Sequence, residues 1–273
     1  MHLCDSPMKQ DFVKVEGYRV RFLEDGLSKS KHVLLLHGLG ASAERWSRVL
    51  PIFAKHFHVV APDIVGFGYS DKPEVNYTMP FFLDFVKGFA NSLGMDHLNL
   101  VGASLGGHIA AELAITSRNR IEKLVLVTPA GIMKEPTPVL NYYIAAAMYP
   151  TLDNAKKAFE QMAGNPNAVD MVYAKDFVNR MQLPNAKYAF MSAIMGSKAA
   201  PSLSGRLGRI EAPTLIVWGE KDSMIPVRYA GKFQSKIKGS RLAIIKSSGH
   251  TPYFEKPEVF SNTVLEFLRK SNK

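Results

Sequence analysis

The chain has 273 residues, of which 47% are hydrophobic and 21% are charged, and its formal net charge is +10. That length fits one α/β domain with an insertion as well as two domains, and the ordinary globular composition excludes a disordered, collagen-like or coiled-coil chain. The 34 lysines and arginines are spread along the sequence and form no long basic run. We therefore expect the positive charge to keep the surface soluble, and we expect no nucleic-acid partner.

Cysteine content and hydropathy indicate the compartment. The single cysteine, Cys4, excludes an internal disulfide and any multi-cysteine zinc site, which fits a reducing compartment. The N-terminal residues contain no apolar run of signal-peptide length, and no later segment approaches about 18 uninterrupted apolar residues. We expect a cytoplasmic protein without stable membrane association, and a site without metal or cofactor. The sequence leaves a monomer and a dimer equally open.

Alternating and continuous apolar runs predict the strands. Residues 12–15 and 18–23 alternate apolar and polar side chains around Glu16-Gly17, which predicts an antiparallel hairpin at one edge of a sheet. Six continuous apolar runs follow, and such runs are typical of parallel strands that are buried on both faces. They are residues 32–37, 58–62, 98–101, 124–127, 214–218 and 242–245.

Helical patterns alternate with these runs. Their starts and ends are marked by Ser or Pro at the first turn and by Gly or basic residues after the last. The predicted helices are residues 42–55, 80–93, 105–117, 226–237 and 257–270. Because strand and helix alternate, we expect βαβ crossovers and a mostly parallel α/β sheet flanked by helices.

One region interrupts the alternation. Between Ile132 and Arg209 no comparable buried strand occurs, and six prolines divide the segment into short helical pieces such as residues 154–163 and 169–181. We therefore predict a helical cap at residues 132–209, inserted into a core formed by residues 1–131 and 210–273. The cap holds seven of the 12 methionines, which suits either an adaptable apolar lid or ordinary filling of the cap's own core.

The third continuous run leads into a candidate nucleophile. It passes through Gly102-Ala103-Ser104-Leu105-Gly106 directly into a helix of small residues. A sharp strand-to-helix turn of this kind, a nucleophile elbow, holds its central residue in a strained backbone conformation and needs glycine where a Cβ would clash. Because the turn exposes the central side chain, Ser104 is the predicted nucleophile.

A serine hydroxyl is a weak nucleophile at neutral pH, so Ser104 needs a general base and an acid that orients the base. His250 follows a buried strand in a Gly-bearing loop, at the carboxyl edge where ligands of open α/β sheets bind. Asp222 lies just beyond the preceding buried strand, at the same edge, and Glu220 is the rival for its role. A carboxylate there can accept the Nδ1 hydrogen of His250 and stabilise the imidazolium.

The negative oxygen of a tetrahedral intermediate requires an oxyanion hole, and two backbone N–H groups are predicted to form it. One belongs to Leu105, directly after the nucleophile. The other belongs to Leu39 in His37-Gly38-Leu39-Gly40, after the first buried strand. Since both donors are main-chain groups, the side chain of Leu39 should matter little.

From about residue 12 to residue 270 the chain resembles the α/β-hydrolase fold family, in the family's order of nucleophile, acid and base. The resemblance also implies that Asp63 is structural, because its segment is similar to the family's turn after the second buried strand. The motifs that carry it are His37-Gly38-Leu39-Gly40, Asp63-Ile-Val-Gly66-Phe-Gly68-Tyr-Ser70, Gly102-Ala-Ser104-Leu-Gly106-Gly107, Trp218-Gly-Glu-Lys-Asp222 and Gly249-His250.

The resemblance implies acyl transfer to water. Ser104 would attack the carbonyl of a small-molecule ester, His250 would take and then return the proton, and water would release the acyl-enzyme. A serine at the elbow argues against haloalkane dehalogenases and epoxide hydrolases, which use aspartate there. Our first hypothesis is therefore a carboxylesterase or lactonase.

Three alternatives stay open. A carbon-carbon bond hydrolase of ring-cleavage products is the nearest, because Asn179-Arg180-Met181 resembles the arginine-bearing cap helix of that group. Its members usually carry Asn before the nucleophile and an aromatic residue after the base, where this sequence has Ala103 and Thr251. The others are a cofactor-free perhydrolase or acyltransferase, and a ligand receptor that retains the triad.

Overall fold

The computed structural model describes residues 8–28 and 30–270, so Cys4 lies outside the described residues. Within this part of the chain, eight strands form one sheet in the order β1-β2-β4-β3-β5-β6-β7-β8. The strands are β1 (Lys9–Val15), β2 (Tyr18–Asp25), β3 (His32–Leu36), β4 (His58–Pro62), β5 (Leu98–Ala103), β6 (Ile121–Val127), β7 (Thr214–Gly219) and β8 (Arg241–Ile245).

The pairing of the strands confirms the predicted sheet. β1 and β2 form an antiparallel hairpin at one edge, and β2 runs antiparallel to β4. All pairs from β4 through β3, β5, β6 and β7 to β8 are parallel. At the carboxyl ends of these strands Leu36 is level with Gly102, and Ala103 is level with Val127. The loops that follow β3, β5 and β6 therefore leave the sheet side by side.

Ten α-helices lie in the described residues, and four of them separate β6 from β7. The helices are α1 (Leu50–Ala54), α2 (Met79–Ser92), α3 (Leu105–Thr116), α4 (Pro138–Met148), α5 (Leu152–Met162), α6 (Met171–Met181), α7 (Ala186–Ala199), α8 (Ala230–Lys236), α9 (Pro252–Glu255) and α10 (Pro257–Arg269). We call α4 to α7 the cap. A helical insertion after the sixth strand is thus confirmed, while its exact boundaries, residues 132 and 209, stay a prediction.

Two predicted helices are wrong in extent. Residues 42–55 form a 3₁₀ turn, Ala43–Trp46, and the short α1. Pro51 lies at the start of α1, and a proline there lacks an N–H and crowds the carbonyl four residues earlier, so one continuous helix cannot form. The segment at residues 226–237 likewise begins as a 3₁₀ turn, and its α-helix starts only at Ala230.

One predicted strand is also less buried than expected. Residues 242–245 were predicted to be buried on both faces, but β8 is the last strand of the sheet and the side chain of Ile244 is 40% exposed. An edge strand has a neighbour on one side only, so an apolar run does not by itself place a strand in the middle of a sheet.

The sheet divides the apolar core into two clusters. One side holds α2, α3, α8 and the inner faces of the cap helices, with Phe177 and Phe190 buried among them. The other side holds α1, α9 and α10, and Trp46 and Phe260 are buried there. The cap therefore shares one core with the sheet, which holds it over the carboxyl ends of the strands. Among the described residues, no helix combines the length and the apolar character that spanning a membrane requires.

Candidate active site

Ser104 occupies the turn between β5 and α3 with φ 53° and ψ −115°, a strained conformation for a residue with a side chain. The neighbouring glycines explain how the turn fits. A Cβ at Gly102 would overlap the carbonyl of Gly106, and a Cβ at Gly106 would overlap the carbonyl of Leu36 at the end of β3. The strand-to-helix turn thus closes only because both flanking positions lack side chains.

His250 is buried and hydrogen-bonded to Asp222, with 2.9 Å between Nδ1 and Oδ2. The other carboxylate oxygen of Asp222 accepts from the backbone N–H groups of Met224 and Ile225. Because these bonds fix the carboxylate, it holds the Nδ1 hydrogen of His250 and leaves Nε2 as the acceptor. Backbone contacts also fix the loop, since the His250 N–H donates to the carbonyl of Met162 in the cap at 2.9 Å.

Glu220, the rival acid, lies apart from His250. Its side chain is exposed and accepts from the backbone N–H of Ser247 at 3.0 Å. Of the two carboxylates after β7, the structure therefore brings Asp222, the predicted one, to His250.

The loop after β3 approaches Ser104 closely, because a Cβ at Gly38 would lie only 3.2 Å from the Ser104 Cβ. The Gly38 carbonyl is engaged by two other groups, because it accepts from His37 Nδ1 at 2.8 Å and from the Ala41 N–H at 3.2 Å. In a trans peptide the N–H lies opposite the carbonyl, so the Leu39 N–H is directed away from those two donors. This geometry suits the oxyanion role predicted for Leu39.

Leu105 supplies the second predicted donor. It is the first residue of α3, directly after Ser104 at the N-cap. The first N–H groups of an α-helix have no partner within the helix, so the Leu105 N–H is available to a ligand.

Two cap side chains bind the carbonyls of the same loop. The hydroxyl of Tyr143 in α4 donates to the Leu39 carbonyl at 2.8 Å, and Nη1 of Arg180 in α6 donates to the Gly40 carbonyl at 2.7 Å. Arg180 also forms an ion pair with Asp176, with 2.8 Å between Nε and Oδ2. Sequence reasoning missed Tyr143, because nothing in the pattern of α4 distinguishes it from its neighbours.

A cavity of about 320 Å³ lies between the cap and the carboxyl edge of the sheet. Four of the predicted site residues, Leu39, Ser104, Leu105 and His250, line it, and Asp222 lies behind His250. The remaining wall is mostly apolar and comes largely from the cap. Of the seven methionines in residues 132–209 only Met133 and Met162 belong to the described lining, so a methionine lid is not the main feature of the wall.

Two further residues of the predicted motifs hold the loops rather than face the cavity. Asp63 accepts from the backbone N–H groups of Ala43 and Tyr69 and pairs with Arg21. Full burial lowers the pKa of His37 to about 4, so its imidazole is neutral. Nε2 of His37 accepts from the Ile64 N–H at 3.0 Å, which ties the loop after β3 to the loop after β4.

A second buried histidine stands behind the cavity wall. His108, one turn along α3 from Ser104, lies with Nδ1 3.2 Å from the hydroxyl of the cavity-lining Ser197. Its Nε2 lies 3.9 Å from Glu112, which pairs with Arg206. Burial lowers the pKa of His108 to about 4. Among residues 8–28 and 30–270, no group of three or more His, Cys, Asp or Glu side chains is arranged to hold a metal ion.

Comparison with known proteins places this geometry in a family. A model of the α/β-hydrolase fold matches residues 31–257. The 2-hydroxy-6-oxo-6-(2'-aminophenyl)hexa-2,4-dienoic acid hydrolase of Metapseudomonas resinovorans is 31% identical over 97% of this chain and 93% of the relative.

Two solved structures share the whole fold. A meta-cleavage product hydrolase of Pseudomonas fluorescens has a TM-score of 0.88 at 25% identity and covers 96% of this chain and 98% of its own. A bacterial membrane phospholipase A has a TM-score of 0.84 at 26% identity, with coverage of 96% and 86%. The match of the family model, together with the mostly parallel sheet and the helices around it, shows that the chain belongs to the α/β-hydrolase fold family.

Proposed function

We propose that the protein is a serine hydrolase of carboxylic esters or lactones, with Ser104 as nucleophile, His250 as general base and Asp222 as the acid that orients it. One observation carries the proposal. A serine in the strained elbow conformation lines the same cavity as a histidine whose Nδ1 is held by a buried aspartate. That arrangement supplies both an exposed hydroxyl and a base with Nε2 free to accept its proton.

The reaction follows from these positions. His250 Nε2 removes the proton of Ser104 as the oxygen attacks the carbonyl carbon, and the negative oxygen is stabilised by the N–H groups of Leu39 and Leu105. The imidazolium, stabilised by Asp222, then protonates the leaving alcohol. Water then attacks the acyl-enzyme while His250 takes its proton. His250 returns the proton to the Ser104 oxygen, and a carboxylic acid leaves.

The cavity suits a small or medium substrate with apolar parts. Its volume is at the lower end of the range of small-molecule sites, and its wall is mostly apolar. The cap and the oxyanion loop form the two walls that flank Ser104. They are hydrogen-bonded to each other, so each holds the other in position.

The test is hydrolysis of p-nitrophenyl esters of increasing chain length and of lactones by the purified protein. Ser104→Ala is the blank in each assay. We expect turnover of at least one ester that disappears in the variant, together with stoichiometric phosphonylation of wild-type protein by a fluorophosphonate. An activity that is unchanged by Ser104→Ala would contradict the mechanism.

A second candidate is hydrolysis of a carbon-carbon bond next to a carbonyl. Two observations favour it: the names of the relatives, and Arg180, a cap cation that lines the cavity. The same Ser104 would serve both reactions, so the substrate discriminates between them. Loss of the visible absorbance of a 2-hydroxy-6-oxohexa-2,4-dienoate, with kcat/KM far above that for any ester, would favour the second candidate over the first.

A further inference from the structure

Arg45 is a cation in the cavity wall that pairs with no carboxylate of residues 8–28 and 30–270. It lies in the 3₁₀ turn that follows the oxyanion loop, is partly buried, and lines the cavity together with Ser104 and His250. Among the described residues it forms no salt bridge. By contrast, Arg21, Arg180 and Arg206, which are also partly or fully buried, are each paired with a carboxylate.

Aromatic rings surround the Arg45 guanidinium. Its central carbon lies 4.4 Å from the ring centroid of Phe254 and 5.7 Å from the centroids of Phe159 and Tyr173. The faces of such rings attract a cation and hold it in place, but they supply no counter-charge and few hydrogen-bond acceptors. Arg45 also hydrogen-bonds the hydroxyl of Tyr253, but a guanidinium carries five N–H donors, so others are available to a ligand in the cavity.

The charge of Arg45 reaches the groups that line the cavity. Burial raises the pKa of Tyr143 to about 12, while the charges of Arg180 and Arg45 oppose that rise. Burial also raises the pKa of Tyr253, again with Arg45 in opposition. Both tyrosines line the cavity, so an anionic group bound there would experience the same positive potential.

Two carboxylates that share a side pocket with Arg45 are already engaged. Asp170 and Glu255 line a small side pocket together with Arg45. Asp170 pairs with Arg48 at 2.8 Å. Glu255 accepts from the backbone N–H groups of Gly164, Gly249 and Thr251. Neither is free to neutralise Arg45. Glu135 also lines the main cavity, but it forms no ion pair with Arg45 in the described part of the chain, so Arg45 can pair with a ligand.

Resting on the proposed function, we propose that Arg45 binds a carboxylate group of the substrate, so that the protein prefers half-esters of dicarboxylic acids to neutral esters of the same length. A guanidinium presents paired N–H donors that match a carboxylate, and the desolvated wall strengthens that bond. The contact is remote from the reacting carbonyl and equal in ground and transition states. It should therefore lower KM more than it raises kcat.

The kinetic test compares mono-p-nitrophenyl glutarate with its neutral methyl ester. In wild-type protein we expect a higher kcat/KM for the anionic substrate. In Arg45→Gln that preference should fall about 10- to 100-fold, mainly through KM, as expected for a lost charge-assisted hydrogen bond, while turnover of the neutral ester stays near wild type. Arg45→Met, which keeps the apolar stem against the rings, serves as a second variant should Arg45→Gln fold poorly.

Arg228→Gln is the matched control. Its guanidinium also lies over an aromatic ring, 5.2 Å from the centroid of Tyr229, but it is exposed and outside the described lining of the cavity. Its loss should leave the preference unchanged. An anionic-to-neutral ratio that is the same in wild type and in both Arg45 variants would overturn the proposal.

A binding measurement separates this proposal from the proposed function. Calorimetry on Ser104→Ala protein should show tighter binding of monomethyl glutarate than of dimethyl glutarate, and adding Arg45→Gln should abolish the difference. If wild-type protein hydrolyses no ester through Ser104, the proposed function fails while this measurement still decides the role of Arg45. Equal binding of both compounds to the Ser104→Ala protein would overturn the carboxylate site.

Discussion

The hydroxyl of Tyr143 in the cap donates a hydrogen bond of 2.8 Å to the carbonyl oxygen of Leu39 in the oxyanion loop. The cap thus holds the Leu39–Gly40 peptide. The preceding peptide, Gly38–Leu39, carries the N–H that is predicted to stabilise the negative oxygen of the intermediate. Since adjacent peptides share a Cα, fixing one restricts the other. The cap of this protein therefore does more than enclose a substrate, because its position bears on the geometry of the oxyanion loop.

Tyr143→Phe should lower kcat about fivefold, as expected from the loss of one hydrogen bond, with KM nearly unchanged because the oxyanion forms only in the transition state. Steady-state kinetics on a p-nitrophenyl ester, together with a thermal melt, measures this. The control is Tyr142→Phe, since Tyr142 is the neighbouring tyrosine and is 57% exposed. Equal kcat in both variants would show that the loop holds its geometry without the cap.

Asp222→Asn should reduce kcat about 10²- to 10⁴-fold, because an amide no longer stabilises the imidazolium or fixes the Nδ1 hydrogen. Glu220→Gln, two residues away on the surface, should retain wild-type activity. The two variants are compared by kcat and by circular dichroism. A large loss in Glu220→Gln with an active Asp222→Asn would reverse the assignment.

Leu39→Pro removes the predicted main-chain donor and should lower kcat about 10²- to 10³-fold. Leu39→Ala keeps the N–H and should stay near wild type, since only the backbone group acts. Melting temperatures of both variants report whether the loop still folds. Wild-type turnover in a folded Leu39→Pro protein would remove Leu39 from the oxyanion hole.

Acid should destabilise the protein through its buried neutral histidines. In the folded chain the pKa values of His37 and His108 are lowered to about 4 by burial, below the usual 6.5. The unfolded state therefore binds protons first as the pH falls. The contribution of each histidine is complete above about pH 6.5 and decreases toward pH 4, by about 1.4 kcal/mol per pH unit.

Urea unfolding at several pH values measures this slope. His108→Gln should make the slope between about pH 4.5 and 6 shallower by about 1.4 kcal/mol per unit, because one proton-binding group is removed. His56→Gln, the same substitution at an exposed histidine, is the matched control. An unaltered slope in His108→Gln would mean that His108 is already protonated in the folded state.

Local patterns predicted most of the strands and helices, and the elbow. The continuous apolar runs mark the inner strands because a strand covered on both faces needs apolar side chains at every position. Glycines two residues on either side of Ser104 mark the turn because the backbone clashes they avoid arise within that turn and with the adjacent strand end. Pro51 is a local signal too, because it prevents residues 42–55 from forming one continuous helix.

Sequence patterns did not predict the contacts between segments that are distant along the chain. Tyr143 and Leu39 are 104 residues apart, and Arg180 and Gly40 are 140 apart. No periodicity within either segment indicates such a contact, because the contact depends on how the cap packs over the sheet. The same holds for β8, whose apolar run did not reveal that it lies at an edge.

The sequence by itself determined the order of strands and helices, the elbow at Ser104, and a histidine and an aspartate after the last two strands, because backbone sterics and burial act over a few residues. The tertiary structure shows that the predicted Asp222, and not Glu220, meets His250, and it alone shows that Arg45 lines the cavity with no salt bridge among the described residues. Hydrogen bonds and ion pairs between side chains require distances of a few ångströms. The packing of the sheet, the loops and the cap sets those distances.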